Sequence, residues 1–398
     1  MRLLLFFWLA LAAPALAQPI GSFEQFVAGF RSEAIAGGVS GATYDALMVG
    51  LTPDPSVPSL VETQPEFTTP VWDYLDARVS PGRVERGRAA LARNSALFSA
   101  VGQRYGVDPY LLGAIWGIET DYGAVLVNSS LIRPIVRSLA TVAWQNRTRH
   151  AEDKQDLVAA LKLAAANGNV SPIGSWAGAI GHLQVNPHNV LAYGTDGDGD
   201  GRVDLHASLA DALATSAAFI RGMGYRPGLD WGFEVSVPAG FDYLLADREA
   251  MRPIGFFAQR GVSRVSGRPF PADDIPVFLY APAGASGPKF LMTPNYLVIK
   301  GYNFSDSYAL AVAHLTDRLK GGGAFVTPWP RNTQFPNLAQ RRAIQEALKT
   351  LGYYNGVVDG RIGPVTQAAY ARFQAARGDV ADGFVTSRAY DLLATAVR

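Results

Sequence analysis

The chain of 398 residues has no cysteine, which excludes a disulfide framework, a thiol nucleophile and a thioether-linked lipid anchor. Charge is sparse and balanced: 35 Lys and Arg against 34 Asp and Glu give a net +1, leaving no electrostatic case for nucleic acid or an anionic membrane. Histidines number five, and His182 and His188 have no third nitrogen or sulfur partner at ligand spacing, which argues against a zinc site and against metal catalysis. Long uncharged apolar runs are missing beyond the first residues. There, Met1-Arg2 precedes a short apolar core and Ala15-Leu16-Ala17, the pattern of a secretory signal cleaved after Ala17 and too short for a membrane span. The mature chain is expected to be soluble and exported, a bacterial envelope protein of the periplasm. A hydrophobic content of 48% supplies a full core and a second small domain.

What is present is mostly helical periodicity. Phe23, Phe26, Val27 and Phe30, then Leu91, Leu97, Phe98 and Val101, recur at helical spacing, and further helical regions cover roughly 135–166 and 209–223. The Pro-rich passage 51–70 reads as an extended segment wrapping the domain. Gly321-Gly322-Gly323, followed by Pro328, Pro330 and Pro336, has the composition of a linker. The division expected is a signal peptide at 1–17, a main domain at 18–320, a Gly/Pro-rich linker at 321–336 and a small helical module at 337–398. That module carries two similar turns, Val358-Asp-Gly-Arg-Ile-Gly-Pro-Val-Thr366 and Ala381-Asp-Gly-Phe-Val-Thr386, each pairing Asp-Gly with a Thr expected to cap the next helix.

Glu119 is the one acidic side chain in the otherwise apolar, helix-like run from Tyr110 to Thr120. Asp108 reads as the N-cap, Pro109 as the first helical residue and Gly123 as the stop, so Glu119 falls in the last turn. The negative end of the helix dipole and the neighbours Ile115, Trp116 and Tyr122 disfavour its charged form, as a general acid needs. Asp121, two residues on, should point away from it and reads as a helix-end carboxylate, not a second acid. The segment Gly174 to Pro187 alternates small residues with Trp176, His182, Gln184 and Asn186, a composition suited to a sugar cleft, although a Gly-rich loop packed on a helix explains it equally.

Ile118-Glu119-Thr-Asp-Tyr-Gly123, Gly174-Ser-Trp-Ala-Gly-Ala-Ile-Gly181 with Gln184 and Pro187, and Tyr302-Asn-Phe-Ser-Asp-Ser-Tyr-Ala-Leu-Ala-Val312 together resemble the lytic murein transglycosylase B family, from Phe23 to about Lys320. The terminal module resembles the peptidoglycan-binding domain often appended to such enzymes. The resemblance implies a mainly α fold: a lysozyme-like catalytic domain with an EF-hand-like loop, and a small three-helix peptidoglycan-binding domain. It implies cleavage of the β-1,4 bond between N-acetylmuramic acid and N-acetylglucosamine without water, leaving a 1,6-anhydro end. Glu119 matches the single glutamate that acts as acid and then base. Ser175 corresponds to a residue orienting that carboxylate, and Asn303 to one positioning it or a water. Gln184, Tyr302 and Tyr308 match sugar-contacting positions, with Tyr122 and Trp176 as further aromatic contacts. Arg147 and Arg149 lie where the family carries a basic pair facing the glycan or its peptide.

Two departures stand out. The family's Gln-Phe-Met-Pro-Ser becomes Gln184-Val-Asn-Pro-His188, which removes an aromatic wall, and Phe219 replaces a tyrosine at a sugar-binding position. Asp196-Gly-Asp-Gly-Asp-Gly-Arg-Val-Asp204 has EF-hand spacing, with Asp196, Asp198, Asp200 and Asp204 as side-chain ligands and the Arg202 carbonyl as another; Ala207 stands at position 12, and Asp211 matches the family's closing ligand. One structural Ca²⁺ and no organic cofactor are expected. The implied partners are peptidoglycan glycan strands and other cell-wall enzymes. The readings left open are a muramidase using water in the same cleft and a non-catalytic peptidoglycan-binding protein.

Overall fold

The computed structural model describes residues 21–62, 69–128, 130–145 and 150–397, which divide into two compact units. The leader expected at 1–17 lies outside the described residues, as do Arg147 and Arg149. Among the described residues no helix is long and apolar enough to cross a membrane.

Of the described residues, the first unit takes 21–62, 130–145, 150–180 and 186–191. Its helix Phe23–Ala36 begins with a capping box between Ser22 and Gln25 and buries Phe23, Phe26, Val27 and Phe30, the stripe read from spacing. Helices Gly41–Met48, Ile135–Trp144 and His150–Ala166 complete its frame. The Pro-rich passage differs from expectation, since Val57–Glu62 is a short helix. Strand β1 (Arg133–Pro134) pairs antiparallel with β2 (Ile173–Gly174).

The second unit takes 69–128, 181–185 and 192–397 of the described residues. Its helices include Val71–Arg78, Pro81–Arg93, Ser95–Tyr105, Pro109–Thr120, Leu209–Gly222, Pro294–Asn303 and Asp306–Leu319. Three of them start alike: Ser80, Asp108 and Thr293 cap a helix whose next residue is proline, which has no N–H to leave unsatisfied there. Between helices lies an antiparallel sheet absent from the sequence reading: β3 (Gly232–Ser236), β4 (Arg252–Pro253), β5 (Ser263–Arg264), β6 (Pro276–Tyr280) and β7 (Lys289–Met292), in the order β4-β6-β7-β3-β5. One face of it buries Phe233, Val235, Val277, Leu279 and Leu291 with Ile254 and Phe257.

Segment 321–336 has a linker's glycines and prolines but is strapped down along its length. The Phe325 ring stacks on His314 at 4.0 Å, Trp329 and Phe335 pack on Trp72, the N–H groups of Val326 and Thr327 donate to the Glu234 carboxylate, and Arg331 pairs with Asp76. Beyond it, helices Leu338–Thr350, Pro364–Ala376 and Ser387–Ala396 close over Ile344, Leu348, Tyr370, Phe373 and Leu393, the expected three-helix module. The expected threonine caps are not made: Thr366 lies inside its helix, which Pro364 opens, and Thr386 makes no side-chain cap bond.

Helix Asp306–Leu319 ends in buried titratable groups. Burial pushes Asp317 up to about 6, with the Trp231 indole N–H donating to its carboxylate at 3.2 Å. Its folded-state pKa lies above the ordinary 3.8, so the folded chain holds the extra proton between those values and the buried-charge penalty grows as pH rises through 6. Asp317→Asn keeps the acceptor and removes the charge. It is expected to stabilise the chain by about 1–3 kcal/mol at pH 8 and by nothing measurable at pH 4. Urea melts at the two values check this, and an equal effect at both would contradict it.

Candidate active site

Helix Pro109–Thr120 is buried continuously from Leu111 to Ile118, so it threads the unit's interior instead of lying on its surface. Asp108 accepts the Tyr110 N–H at 2.9 Å, fixing the start where the sequence placed it. Glu119, half-buried, stands in the last turn, and the Tyr308 hydroxyl donates to its Oε1 at 2.6 Å. Burial, then the Glu119 charge, push the Tyr308 hydroxyl well above its ordinary value, so it stays a donor. Tyr308 is 2% exposed. Its one polar side-chain atom is turned to the glutamate.

The helix ends at Asp121, two residues before the expected Gly123, because Asp121, Tyr122 and Gly123 all take left-handed backbone angles, with φ of 50°, 60° and 89°. For the first two that costs about 1–2 kcal/mol each, so other contacts must hold the turn. Arg86 donates to both Asp121 oxygens at 2.8 and 2.9 Å, and Arg83 adds a bond at 3.3 Å. Burial pushes the Asp121 carboxyl up, but these hydrogen bonds outweigh it and hold it below the ordinary range. Asp121 is thus an ion-paired helix end. The Tyr122 ring meets Trp116 edge-on at 5.6 Å and its hydroxyl is buried against Gly87 and Gly117, where no Cβ fits. It anchors the turn.

Residues 181–185 are tied to the same helix. The Thr120 hydroxyl donates to the His182 carbonyl at 2.7 Å, and the Trp116 indole N–H to His182 Nδ1 at 3.1 Å. As an acceptor at Nδ1, His182 carries its proton on Nε2, and burial lowers its pKa, favouring the neutral ring. Gln184 takes φ 51° and donates its amide to the Gly181 carbonyl at 2.9 Å. Tyr302 donates to the Leu183 carbonyl at 2.8 Å and lies 3.1 Å from the Ser216 hydroxyl. Phe219, 8% exposed, packs between Tyr193 and Tyr302 with ring centroids 5.4 Å from each. The Asn303 Oδ1 is buried with no hydrogen-bond partner among the described residues.

In the first unit, Ser175 Oγ accepts the Ala179 N–H at 3.1 Å in a tight turn, and Trp176 is half-buried. The glycines there serve protein contacts: a Cβ on Gly174 would meet the Ala179 carbonyl, and one on Gly178 the Leu139 side chain. His188 Nδ1 lies 2.6 Å from the buried Asp156 carboxylate.

The acidic loop narrows the expected ligand set. Carboxylate oxygens of Asp196, Asp198 and Asp211 lie within 4.8 Å of one another, whereas Asp200 and Asp204 fall outside this group. Each of those two has folded back on its own turn, Asp200 accepting the Arg202 N–H and Asp204 the N–H groups of His206 and Ala207. Asp211, 1% exposed at the start of helix Leu209–Gly222, accepts N–H bonds from Gly197 and Asp204, gripping the loop from both ends. Among the described residues no Lys or Arg pairs with the three, an all-oxygen donor set that fits a hard divalent cation.

The model of the transglycosylase SLT domain matches residues 22–317, and that of the putative peptidoglycan-binding domain residues 337–393. The chain belongs to the SLT transglycosylase family. It is similar to SltB3 from Pseudomonas aeruginosa, solved in complex with NAG-anhNAM-pentapeptide, with 41% identity, 94% of this chain and 99% of that one covered, and a TM-score of 0.84. The membrane-bound lytic murein transglycosylase B of Escherichia coli is 26% identical over 279 residues, 66% of this chain and 71% of its own. The E. coli SLT35 structure in complex with calcium shares the fold at 22% identity, covering 75% of this chain and 92% of its own with a TM-score of 0.60.

Sequence reasoning for this SLT transglycosylase missed the Tyr308 bond to Glu119, the arginine pair on Asp121 and the His182 clamp. Only Trp116, one turn before Glu119 on the same helix, offered a local signal. Removing the Tyr308 hydroxyl while keeping the ring tests the first of these. Tyr308→Phe is expected to lower kcat about 10- to 100-fold with little change in KM or melting temperature. A rise in KM at unchanged kcat would return Tyr308 to substrate contact.

Proposed function

We propose that Glu119 alone performs the proton transfers by which this lytic transglycosylase opens the β-1,4 bond between N-acetylmuramic acid and N-acetylglucosamine in peptidoglycan. The observation that carries this is the pairing of Glu119 with Tyr308 beside an Asp121 already neutralised by two arginines. With Tyr308 donating to Oε1, the acidic proton resides on Oε2. Glu119 gives it to the glycosidic oxygen as the bond to the anomeric carbon breaks, and Tyr308 stabilises the carboxylate that results. That carboxylate accepts the proton of the muramyl 6-hydroxyl as O6 closes on the anomeric carbon. Glu119 is protonated again, no water is consumed, and the product carries a 1,6-anhydro end. The anhydro sugar bound to SltB3 supports this over hydrolysis.

Asn303 Oδ1, a buried acceptor without a partner among the described residues, fits the 6-hydroxyl or a water, and Gln184 and Tyr302 shape the loop that Trp116 and Thr120 hold. Ser175 as an orienter of the carboxylate, and Trp176, Arg147 and Arg149 as substrate contacts, rest on the family resemblance. We further assign residues 18–320 to catalysis and 337–398 to substrate retention, in a protein exported to the periplasm after cleavage behind Ala17. Asp196, Asp198 and Asp211 would hold a structural Ca²⁺, which cancels their mutual repulsion and pins the loop to helix Leu209–Gly222.

Mass spectrometry of muropeptides released from purified peptidoglycan tests the chemistry. The enzyme is expected to give products one water lighter than hydrolytic ones, and Glu119→Gln to lose at least about 10³-fold in rate. Reducing ends would favour a muramidase, and release that survives Glu119→Gln would reassign the acid. For the loop, added calcium is expected to raise the melting temperature over a chelated sample, and Asp211→Asn to abolish the difference. Identical melts with calcium and chelator would remove the ion.

A further inference from the structure

The C-terminal module contains the same hydrogen-bonded device twice. In each, a Val-x-Asp-Gly turn is read by a glutamine from a helix. At the first turn Asp359 donates its N–H to the Val357 carbonyl at 3.1 Å, Gln345 Nε2 donates to Asp359 Oδ1 at 3.1 Å, the Gly360 N–H donates to Gln345 Oε1 at 2.6 Å, and the Arg361 N–H donates to Asp359 Oδ1 at 2.8 Å. At the second, Asp382 donates to the Val380 carbonyl at 3.0 Å, Gln374 Nε2 to Asp382 Oδ1 at 3.1 Å, the Gly383 N–H to Gln374 Oε1 at 2.8 Å, and the Phe384 N–H to Asp382 Oδ1 at 3.0 Å. Both glycines are left-handed, φ 80° and 68°. In both turns every internal bond falls on one carboxylate oxygen, leaving Oδ2 to face outward.

The second turn shows what that outward oxygen does. Asp382 Oδ2 accepts the backbone N–H of Ala285 at 2.9 Å, and the Ala285 carbonyl accepts from Lys289 Nζ at 2.6 Å. The gripped segment is Ala283-Gly284-Ala285-Ser286-Gly287, and at Gly284 even a Cβ would collide with Asp382 and Phe384. A Val-x-Asp-Gly turn in this molecule therefore binds a short segment of small residues, here a 3-10 turn at Gly284–Ser286, through a backbone N–H. Phe384 seals the contact, packed edge-on against Phe335 at 6.0 Å.

The first turn differs in two ways. Asp359 is exposed, and the residue after its glycine is an exposed arginine, Arg361, in place of Phe384. We infer that the Asp359-Gly360-Arg361 turn is the peptide-binding site of the module, taking a backbone N–H of an alanine-type peptide on Asp359 Oδ2 and a carboxylate of the same peptide on Arg361. Peptidoglycan stem peptides have this chemistry, with small alanine residues beside free carboxylates. The site rests on the reading of the chain as a peptidoglycan enzyme, and it specifies the stem peptide, not the glycan, as what the module holds.

The test uses the full chain carrying Glu119→Gln, so that nothing is cleaved, and a sugar-free stem pentapeptide as probe in calorimetric titration. Asp359→Asn keeps the oxygen that receives Gln345 and Arg361 but replaces the outward acceptor with a donor, and Arg361→Gln removes the cation; melting curves confirm that both variants fold. Each is expected to weaken pentapeptide binding at least tenfold. Affinity equal to that of the parent in both variants, or a parent that does not bind the pentapeptide, overturns the site. Release of anhydro products by the chain with Glu119 intact is scored separately. Products without peptide binding sink the turn alone, while peptide binding without products supports the turn and sinks the glycan-cleaving reading.

Discussion

Everything near Glu119 depends on how helix Pro109–Thr120 is made to stop. A helix buried along its length ends one residue after its functional carboxylate, in a run of three left-handed residues of which two are not glycine. Left alone, that turn would relax toward another helical turn and rotate the carboxylate away. Two independent anchors prevent it: Asp121 is clamped by Arg83 and Arg86 of helix Pro81–Arg93, and the Tyr122 ring is wedged into a slot that exists only because residues 87 and 117 are glycine. Strain of this kind persists only where its surroundings over-determine it.

The same helix also organises what faces it. Trp116 and Thr120, on either side of Glu119 in sequence, hold the side chain and the carbonyl of His182, and the next carbonyl, Leu183, is taken by Tyr302. The loop bearing Gln184 is therefore positioned by three bonds to two helices. Downstream, Asp211 ties both ends of the acidic loop to the helix that supplies Ser216 and Phe219, so a cation there would stiffen the support of Tyr302 at one remove. Tyr308 completes the arrangement from the far side of the sequence.

What was legible in the sequence was local. Asp108-Pro109 announced the helix, its apolar run announced burial, and Glu119 stood out as the acid in it, because caps and periodicity act over a few residues. The Tyr308 bond spans 189 positions, and neither spacing nor propensity reports it. The sheet escaped because its strands are two to five residues long, too short for a period-2 pattern to emerge. The glycines of 174–181 were correctly seen to allow close approach, but what approaches Gly174, Gly178 and Gly181 is protein. In the acidic loop, spacing alone could not distinguish the three carboxylates that face a common point from Asp200 and Asp204, since all five accept backbone N–H bonds within the loop.

Segment 321–336 shows where composition misleads most. Glycine and proline describe a flexible tether, and a tethered module would raise the effective concentration of its ligand over a wide volume. Phe325, Trp329 and Phe335, spaced among those prolines, carried the contrary signal: each packs its ring on another aromatic, Phe325 on Phe290 and Trp329 and Phe335 on Trp72, and the module beyond them is hooked by Asp382 to Ala285. A strapped and docked module contributes differently. It loses the broad reach of a flexible linker, but it does not pay tether entropy each time the chain engages its substrate, and it presents its Asp359 turn at a fixed orientation to the segment around Ala285 that Asp382 holds. For an enzyme acting on a substrate that cannot diffuse, orientation relative to the strand matters more than local concentration, which is already set by the solid itself.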